Sequence, residues 1–344
     1  MKKTVRYYAA KTLKSSFALE WLYNNYYKLK NKKSFFKEIE RRKHLSIFDY
    51  VEIAQDIPFC PLENIKDSNY YGHAYSMKKY ADLDYISSGI EHGIYLGNRI
   101  SDAERLRTTK SVIAMSQNRV ESFKENNIEK PIIAVGPYIH YATPFYNEEE
   151  FSKLKEQLGR VLLVFPFHSG IFNTISFDLN LLISEIEKRK KSYDTVMVCL
   201  HHLDVIRNEM YRKKYHEMGY KIVCAGHKYD LNFISRLKSI ISLSDFVISN
   251  SIGTQVGYCY YMHKPQIILF DDGSLPEIKN SAAYNTTTAK LAREQTLEII
   301  KAFSTNENED FSEEQALVVE KYWGLSQIKK PQELRLAIET LNKI

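Results

Sequence analysis

The chain is 344 residues long, with 44% hydrophobic and 26% charged residues and a net charge of +6. At roughly 100 to 200 residues per domain, that length asks for two cores, and so ordinary a composition excludes a disordered or fibrous chain. No apolar run approaches the roughly 18 residues that span a bilayer, and no apolar core follows Met1-Lys2-Lys3 as a secretory leader requires, so the protein is expected to be cytoplasmic. Cys60, Cys199, Cys224 and Cys259 stand far apart with no Cys-x-x-Cys. Neither a zinc cage nor a disulfide framework is expected, and the thiols should be reduced and buried.

The positive charge is local. Residues 1–43 hold 13 Lys or Arg against three acids, Glu20, Glu38 and Glu40, which leaves everything after them net negative. Cations alternate there with aromatics, and Leu13, Phe17 and Trp21 recur at helical spacing. Two readings are open. One is attachment to an anionic membrane surface; the other is a first helix that docks its aromatic stripe on the core and leaves a solvated basic face. Nucleic acid is the weaker alternative and is not expected as a partner.

The first half then shows one βαβ unit: strand Ser111–Met115, helix Gln117–Asn126 and strand Pro131–Val135, with Ile47–Ala54 and Asp84–Ser87 as further strand candidates. The polar stretch Asn147–Gly159 is expected to separate the halves. From there the alternation is regular: strands Val161–Phe165, Thr195–Leu200, Lys221–Ala225, Phe246–Ser249 and Gln266–Phe270. Helices Phe177–Lys191, Val205–Met218, Asn232–Leu243 and Thr254–Met262 lie between them. Short apolar strands separated by helices imply a parallel sheet covered on both faces. Ser304–Asp310 is expected to be a surface loop. Two doubly wound domains would place their ligand between them, outside the C-terminal strand ends.

The serine-rich turn Ser249-Asn250-Ser251-Ile252-Gly253-Thr254 runs from a strand into a helix, where hydroxyls and backbone N–H groups suit an anion; simple capping by Ser251 or Thr254 is the alternative. His227 follows the strand Lys221–Ala225, His168 and Ser169 follow Val161–Phe165, and His201 and His202 follow Thr195–Leu200. Three strand ends therefore carry histidine. A zinc reading of these rings lacks ligand spacing apart from Asp204, so no metal is expected. Neither Gly-x-Gly-x-x-Gly nor a P-loop is present. Asp82-Leu83-Asp84 formally matches the Asp-x-Asp of metal-dependent transferases, and Asp271-Asp272-Gly273 reads as a turn.

Glu91-His92-Gly93, Gly226-His227 and Ser249 to Thr254, in this order, resemble motifs of the GT-B-fold glycosyltransferases, in particular the bacterial sialyltransferase-like enzymes of capsule and lipopolysaccharide assembly. His92 stands at the second acidic position of the first motif, and Lys228 stands where the second has Pro. Glu-His-Gly is also similar to the Gln-His-Gly of polyol-phosphate polymerases of the teichoic-acid type. The resemblance covers about residues 90–270. It implies an α/β, GT-B-like fold of two doubly wound Rossmann-like domains facing across a cleft; the chain is expected to divide as 1–155, 156–300 and a helical tail 301–344 that lies outside the resemblance and packs back on the first domain. It further implies an inverting glycosyltransferase, without cofactor or metal, that takes a nucleotide-sugar donor. The donor is expected to be a CMP-linked acidic sugar, or next an NDP-hexose, and the acceptor a surface polysaccharide or a lipid-linked glycan. Glu91 or His92 would be the catalytic base, Glu91 favoured by its match to the motif. His168, Ser169, His227, Ser249, Asn250, Ser251, Gly253 and Thr254 would hold the donor phosphate. A nucleotide-sugar 2-epimerase, which needs carboxylates around the sugar, and a non-catalytic carbohydrate- or nucleotide-binding subunit are the alternatives.

Overall fold

The computed structural model describes residues 17–106, 108–168, 177–269, 287–304 and 311–344. The chain opens with a long helix, α1 (Phe17–Lys43), followed by α2 (Tyr50–Ala54) and α3 (His73–Ala81). A small sheet comes next: β1 (Gly89–Ile90), α4 (Asp102–Arg105), β2 (Val112–Ala114), α5 (Gln117–Glu125) and β3 (Ile132–Ala134), with strands parallel in the order β1-β2-β3. Then α6 (Glu148–Leu158) leads into β4 (Val161–Phe165), α7 (Leu179–Lys190), β5 (Thr195–Cys199), α8 (His202–Arg207), α9 (Glu209–Glu217) and β6 (Lys221–Val223). The second unit ends with α10 (Phe233–Leu243), β7 (Phe246–Ser249), α11 (Thr254–Tyr261) and β8 (Gln266–Ile268), and the tail holds α12 (Thr287–Ser304), α13 (Glu313–Trp323) and α14 (Pro331–Asn342).

The second sheet is parallel throughout, in the order β6-β5-β4-β7-β8. All residues of β4 and β7 are buried, as expected for strands covered on both faces. The order reverses between β4 and β7, where Phe165 pairs with Ser249, so the two C-terminal strand ends open side by side at the switch point. The molecule is thus an α/β protein of two parallel units facing across a cleft, the layout expected of a GT-B-like chain.

Three sequence expectations are corrected. Ile47–Ala54 is apolar enough to read as a strand, but Asp49 accepts the Ser46 N–H (2.8 Å) and closes a turn that starts α2. Asp84–Ser87 does not join the sheet, because the Ser87 N–H donates to Asn342 Oδ1 (2.9 Å) and the Tyr85 carbonyl accepts from Asn342 Nδ2 (3.1 Å). The tail satisfies backbone groups that a neighbouring strand would have paired. The stretch Asn147–Gly159, expected to separate the halves, forms helix α6 between the two sheets, started by a reciprocal capping box between Asn147 and Glu150 and ended at Gly159, whose φ is +62°. The helix expected over Val205–Met218 breaks at Asn208, whose Nδ2 donates to Asp204 Oδ1 (2.6 Å). Phe270 and the residues 305–310 of the expected surface loop lie outside the described residues, as does Asp271-Asp272-Gly273.

The core runs through both units. Ile113, Met115 and Val135 share one apolar cluster with Leu163, Met197 and Val247. Ile53 and Ala54 of α2 pack with Leu162 and Val164 of the second sheet. Two buried arginines fix this crossing. Arg42 donates to the carbonyls of Ile53 (2.7 Å) and Gln55 (2.9 Å), while Arg236 donates to Asp230 (2.7 Å) and to the Arg42 carbonyl (2.8 Å). In the tail, Trp323 donates its ring N–H to the Thr254 carbonyl (3.0 Å), and Arg335 pairs with Asp82 (3.1 Å). All four cysteines are buried free thiols.

Candidate functional site

A cavity of about 350 Å³ lies between the two units. The second sheet contributes the residues after β4, β5, β6 and β7, among them His168, His201, Gly253 and Thr254. The first unit contributes Tyr71, His73, His92, Gly93 and Ile94. An apolar wall comes from Phe233, Ile234 and Leu237 of α10, with Ile252 and Tyr258.

Four imidazoles form a continuous row along the strand ends. His168 stacks on His201 with centroids 4.6 Å apart, His201 lies 4.2 Å from His202, and His202 lies 4.7 Å from His227. Burial and the neighbouring rings hold His201 well below its ordinary value, and burial first of all holds His202 down to about 2 and His227 to about 3. His201, His202 and His227 are therefore neutral, and each of these three rings has one N–H to donate. Both ring nitrogens of His201 are shielded from solvent and meet no partner, as is His202 Nδ1. A buried donor without an acceptor is costly, and among the described lining residues His201 and the Tyr258 hydroxyl each carry one. Among the described residues no group of His, Cys, Asp and Glu could hold a metal ion.

The turn after β7 is organised differently from the expectation. Asn250 Oδ1 accepts the Phe167 N–H (2.6 Å) and straps two loops together. Ser249 Oγ is buried without a partner and does not reach the cavity. The Ser251 carbonyl accepts from Gln255 Nε2 (3.4 Å). Thr254 Oγ1 accepts the Ile94 N–H (3.0 Å), a bridge between the units. The two elements meet so closely here that a Cβ on Gly93 would run into Thr254 Oγ1. No side chain caps α11, and the Val256 N–H donates to the Gly253 carbonyl (3.1 Å), which leaves the N–H groups of Thr254 and Gln255 at the cavity. The capping alternative is not realised.

Glu91 and His92 separate. The Glu91 N–H continues the ladder by donating to the Ile113 carbonyl (3.1 Å), and successive side chains of an extended segment point to opposite sides. His92 therefore reaches the cavity and Glu91 the interior, only 2% exposed, where Arg119 Nε donates to Oε1 (3.0 Å) and Oε2 (3.2 Å). Burial pushes the Glu91 carboxyl up to about 7 against the pull of Arg119. This corrects the preference for Glu91: its lone pairs are engaged and no acceptor can reach it. His92 Nδ1 lies 2.9 Å from the Tyr95 hydroxyl, and burial keeps the ring below its ordinary value although Asp67 and Glu104 draw it upward. The tautomer that donates Nδ1–H to Tyr95 leaves Nε2 to take a proton.

His227 is also displaced from its expected role. It does not line the cavity; its Nδ1 accepts the Tyr229 N–H (3.2 Å) and its Nε2 lies 3.7 Å from Asp56. His140 has both ring nitrogens engaged, by Tyr261 (2.7 Å) and Tyr80 (3.1 Å). Ser169 lies outside the described residues. The structure thus brings His92, His168, Gly253 and Thr254 together and leaves Glu91, His227, Ser249 and Asn250 behind the cavity surface. Arg119, Tyr95 and the α10 wall carry no motif that would single them out; His201 carried one signal, its place at a strand end.

No family model matches the chain, and no curated protein sequence does. Its structure is similar to that of the wall teichoic acid polymerase TagF, with 13% identity over 76% of this chain and 68% of that chain and a TM-score of 0.43. It is similar, too, to a UDP-GlcNAc 2-epimerase from Methanocaldococcus jannaschii in complex with UDP-GlcNAc and UDP, with 14% identity over 79% and 72% of the two chains and a TM-score of 0.42. A UDP-GlcNAc 2-epimerase from Neisseria meningitidis bound to UDP-GlcNAc shows 15% identity over 79% and 72%, with a TM-score of 0.36. What the cavity can do follows from this chain's own residues.

Proposed function

We propose that the chain is a nucleotide-sugar-dependent glycosyltransferase that inverts the anomeric centre without a metal. The observation that carries this reading is the convergence of the uncapped α11 N-terminus and the unpartnered His201 on one cavity, with neutral His92 on the opposite unit. A diphosphate or monophosphate placed at α11 would accept N–H bonds from the first turn and from His201, and the positive helix end would stabilise the charge that develops as the phosphate leaves. His92 Nε2 would accept the acceptor hydroxyl proton from the other side. One base and one leaving group, held on opposite units, are what single displacement requires.

The transferase reading is favoured over the epimerase one because the described lining of the cavity offers imidazoles and no Asp or Glu. Among the described lining residues there is also no Lys or Arg. Among the described lining residues an acidic sugar would meet imidazoles, the polar side chains of Tyr71, Thr254, Gln255 and Tyr258, and backbone N–H groups, so donor choice is decided by comparing CMP- with UDP-linked sugars. The acceptor proposed is a surface polysaccharide or lipid-linked glycan.

Thermal shift with CMP, CDP, UDP and GDP tests the site. A nucleotide at about 100 times its dissociation constant stabilises by about 2.7 kcal/mol. The expected outcome is a rise in Tm with one base class that His201→Ala removes. No rise with any nucleotide, or a rise that survives His201→Ala, would sink the assignment. Slow hydrolysis of the matching donor without acceptor separates an enzyme from a binding subunit.

A further inference from the structure

Helix α1 has two opposite faces. Asn24, Phe35, Ile39 and Arg42 are buried against the body, and Asn31 Nδ2 donates to the Phe59 carbonyl (2.7 Å). Half a turn away, Leu19, Leu22, Tyr26, Leu29 and Phe36 recur at steps of three, four and seven residues and stand exposed, Leu22 by 55%, Tyr26 by 56% and Leu29 by 82%. An isolated exposed leucine needs no account, but a straight apolar seam of four helical turns does. Among the described residues nothing covers it. Trp21, on the helix face next to the buried one, is 52% exposed, so the aromatic stripe predicted to dock on the core does not dock along its whole length.

Charge identifies what the seam can accept. Lys33 lies within it, Lys30 and Lys37 flank one side and Lys32 the other, all exposed. From Trp21 to Lys37 there is no acidic residue. A second copy of α1 laid along the seam would set these lysines against their own images, and residues 1–16, with five cations and no acid, would repel it in the same way. Negatively charged lipid headgroups reverse that balance. Lysine stems run along apolar surface and carry their ammonium groups outward to phosphates, while Tyr and Trp suit the headgroup layer. Lys30 already lies over the Tyr26 ring, 5.5 Å from its centroid. No described helix is long and apolar enough to cross a membrane, so the contact is one of lying on the surface.

We infer that the outer face of α1, from Leu19 to Lys37, is a docking surface for an anionic lipid bilayer. The inference does not depend on the nucleotide reading, since vesicle binding is measured without nucleotide or donor. Co-sedimentation of the full chain with vesicles of phosphatidylcholine alone and of phosphatidylcholine with phosphatidylserine provides the test. Binding is expected only to the anionic vesicles and is expected to be weakened at about 1 M salt, where the Debye length falls to about 3 Å. Leu22→Glu combined with Leu29→Glu should lower the bound fraction about tenfold, and Lys30→Gln, Lys33→Gln and Lys37→Gln together should do the same, each with an unchanged melting curve because all five side chains are exposed. Equal pelleting with neutral vesicles would overturn the proposal. So would a concentration-dependent dimer that the double leucine variant abolishes, or an oligonucleotide bound as tightly by that variant as by the parent chain.

Discussion

His92 and Glu91 are adjacent in sequence and opposite in role. If His92 takes the acceptor proton, His92→Ala should lower turnover by about 10² to 10⁴ with little change in stability. Glu91→Gln should do the reverse: it takes the bidentate partner from buried Arg119 and leaves Glu104 as the acid that still acts on it, which should cost about 1–3 kcal/mol in urea unfolding, and turnover of the folded fraction should stay close to the parent value. The pH profile follows from the sign of the His92 shift. Burial lowers the ring's value, and a base works while deprotonated, so activity should persist from about pH 8 down past 6.5 and fall only below that. An acid limb centred at or above 6.5 would remove His92 from the mechanism. Neither fate was legible from the tripeptide Glu-His-Gly, because the alternation of an extended chain decides which of two neighbours reaches the cavity.

At the scale of elements, the cavity's width is set by how closely α11 is held. Trp323 of the tail packs on Gly257 so closely that a Cβ there would enter the indole ring, while the same indole donates to the Thr254 carbonyl (3.0 Å). Gly257→Ala should therefore push Trp323 away, destabilise the protein by about 1–3 kcal/mol through overpacking, and weaken any nucleotide-induced thermal shift because the α11 N-terminus moves with it. Differential scanning calorimetry with and without nucleotide reads both effects; a variant as stable as the parent would show that α13 does not brace the helix. The strands β4 and β7 and the helices around them could be read from apolar runs of two periodicities. The strands of the small sheet, of only two or three residues, could not be bounded so well, since too few residues alternate to outweigh local turn chemistry.

For the molecule as a whole, four histidines held low by burial make stability sensitive to acid. His73 is held to about 3, His202 to about 2, His227 to about 3 and His201 well below its ordinary value, each chiefly by burial. Their folded values lie below the unfolded value of about 6.5, so the unfolded chain binds the extra protons as pH falls. The contribution is complete above about 6.5 and declines below it, by at most about 1.4 kcal/mol per pH unit for each ring. Urea unfolding between pH 7.5 and about 5 should show that decline, and His202→Gln should make the slope shallower by close to one proton; an unchanged slope would mean the ring is charged or solvated in the folded protein.

The amino-acid sequence by itself determined the class of this protein, because buried parallel strands and amphipathic helices announce themselves by local periodicity, and it placed histidines at three strand ends for the same reason. Two things were decided only by tertiary structure. One is the destination of neighbouring polar residues: His201 faces the cavity while His227 lies behind it, and Asn250 braces the turn before α11 while the Ser249 hydroxyl beside it is buried without a partner. The other is the partnership of distant segments, α2 with the second sheet, Asn342 with Ser87, and Trp323 with Thr254. Both depend on long-range packing, in which a polar group's role is set by whichever partner the fold brings within hydrogen-bond distance, and no spacing along the chain encodes that distance.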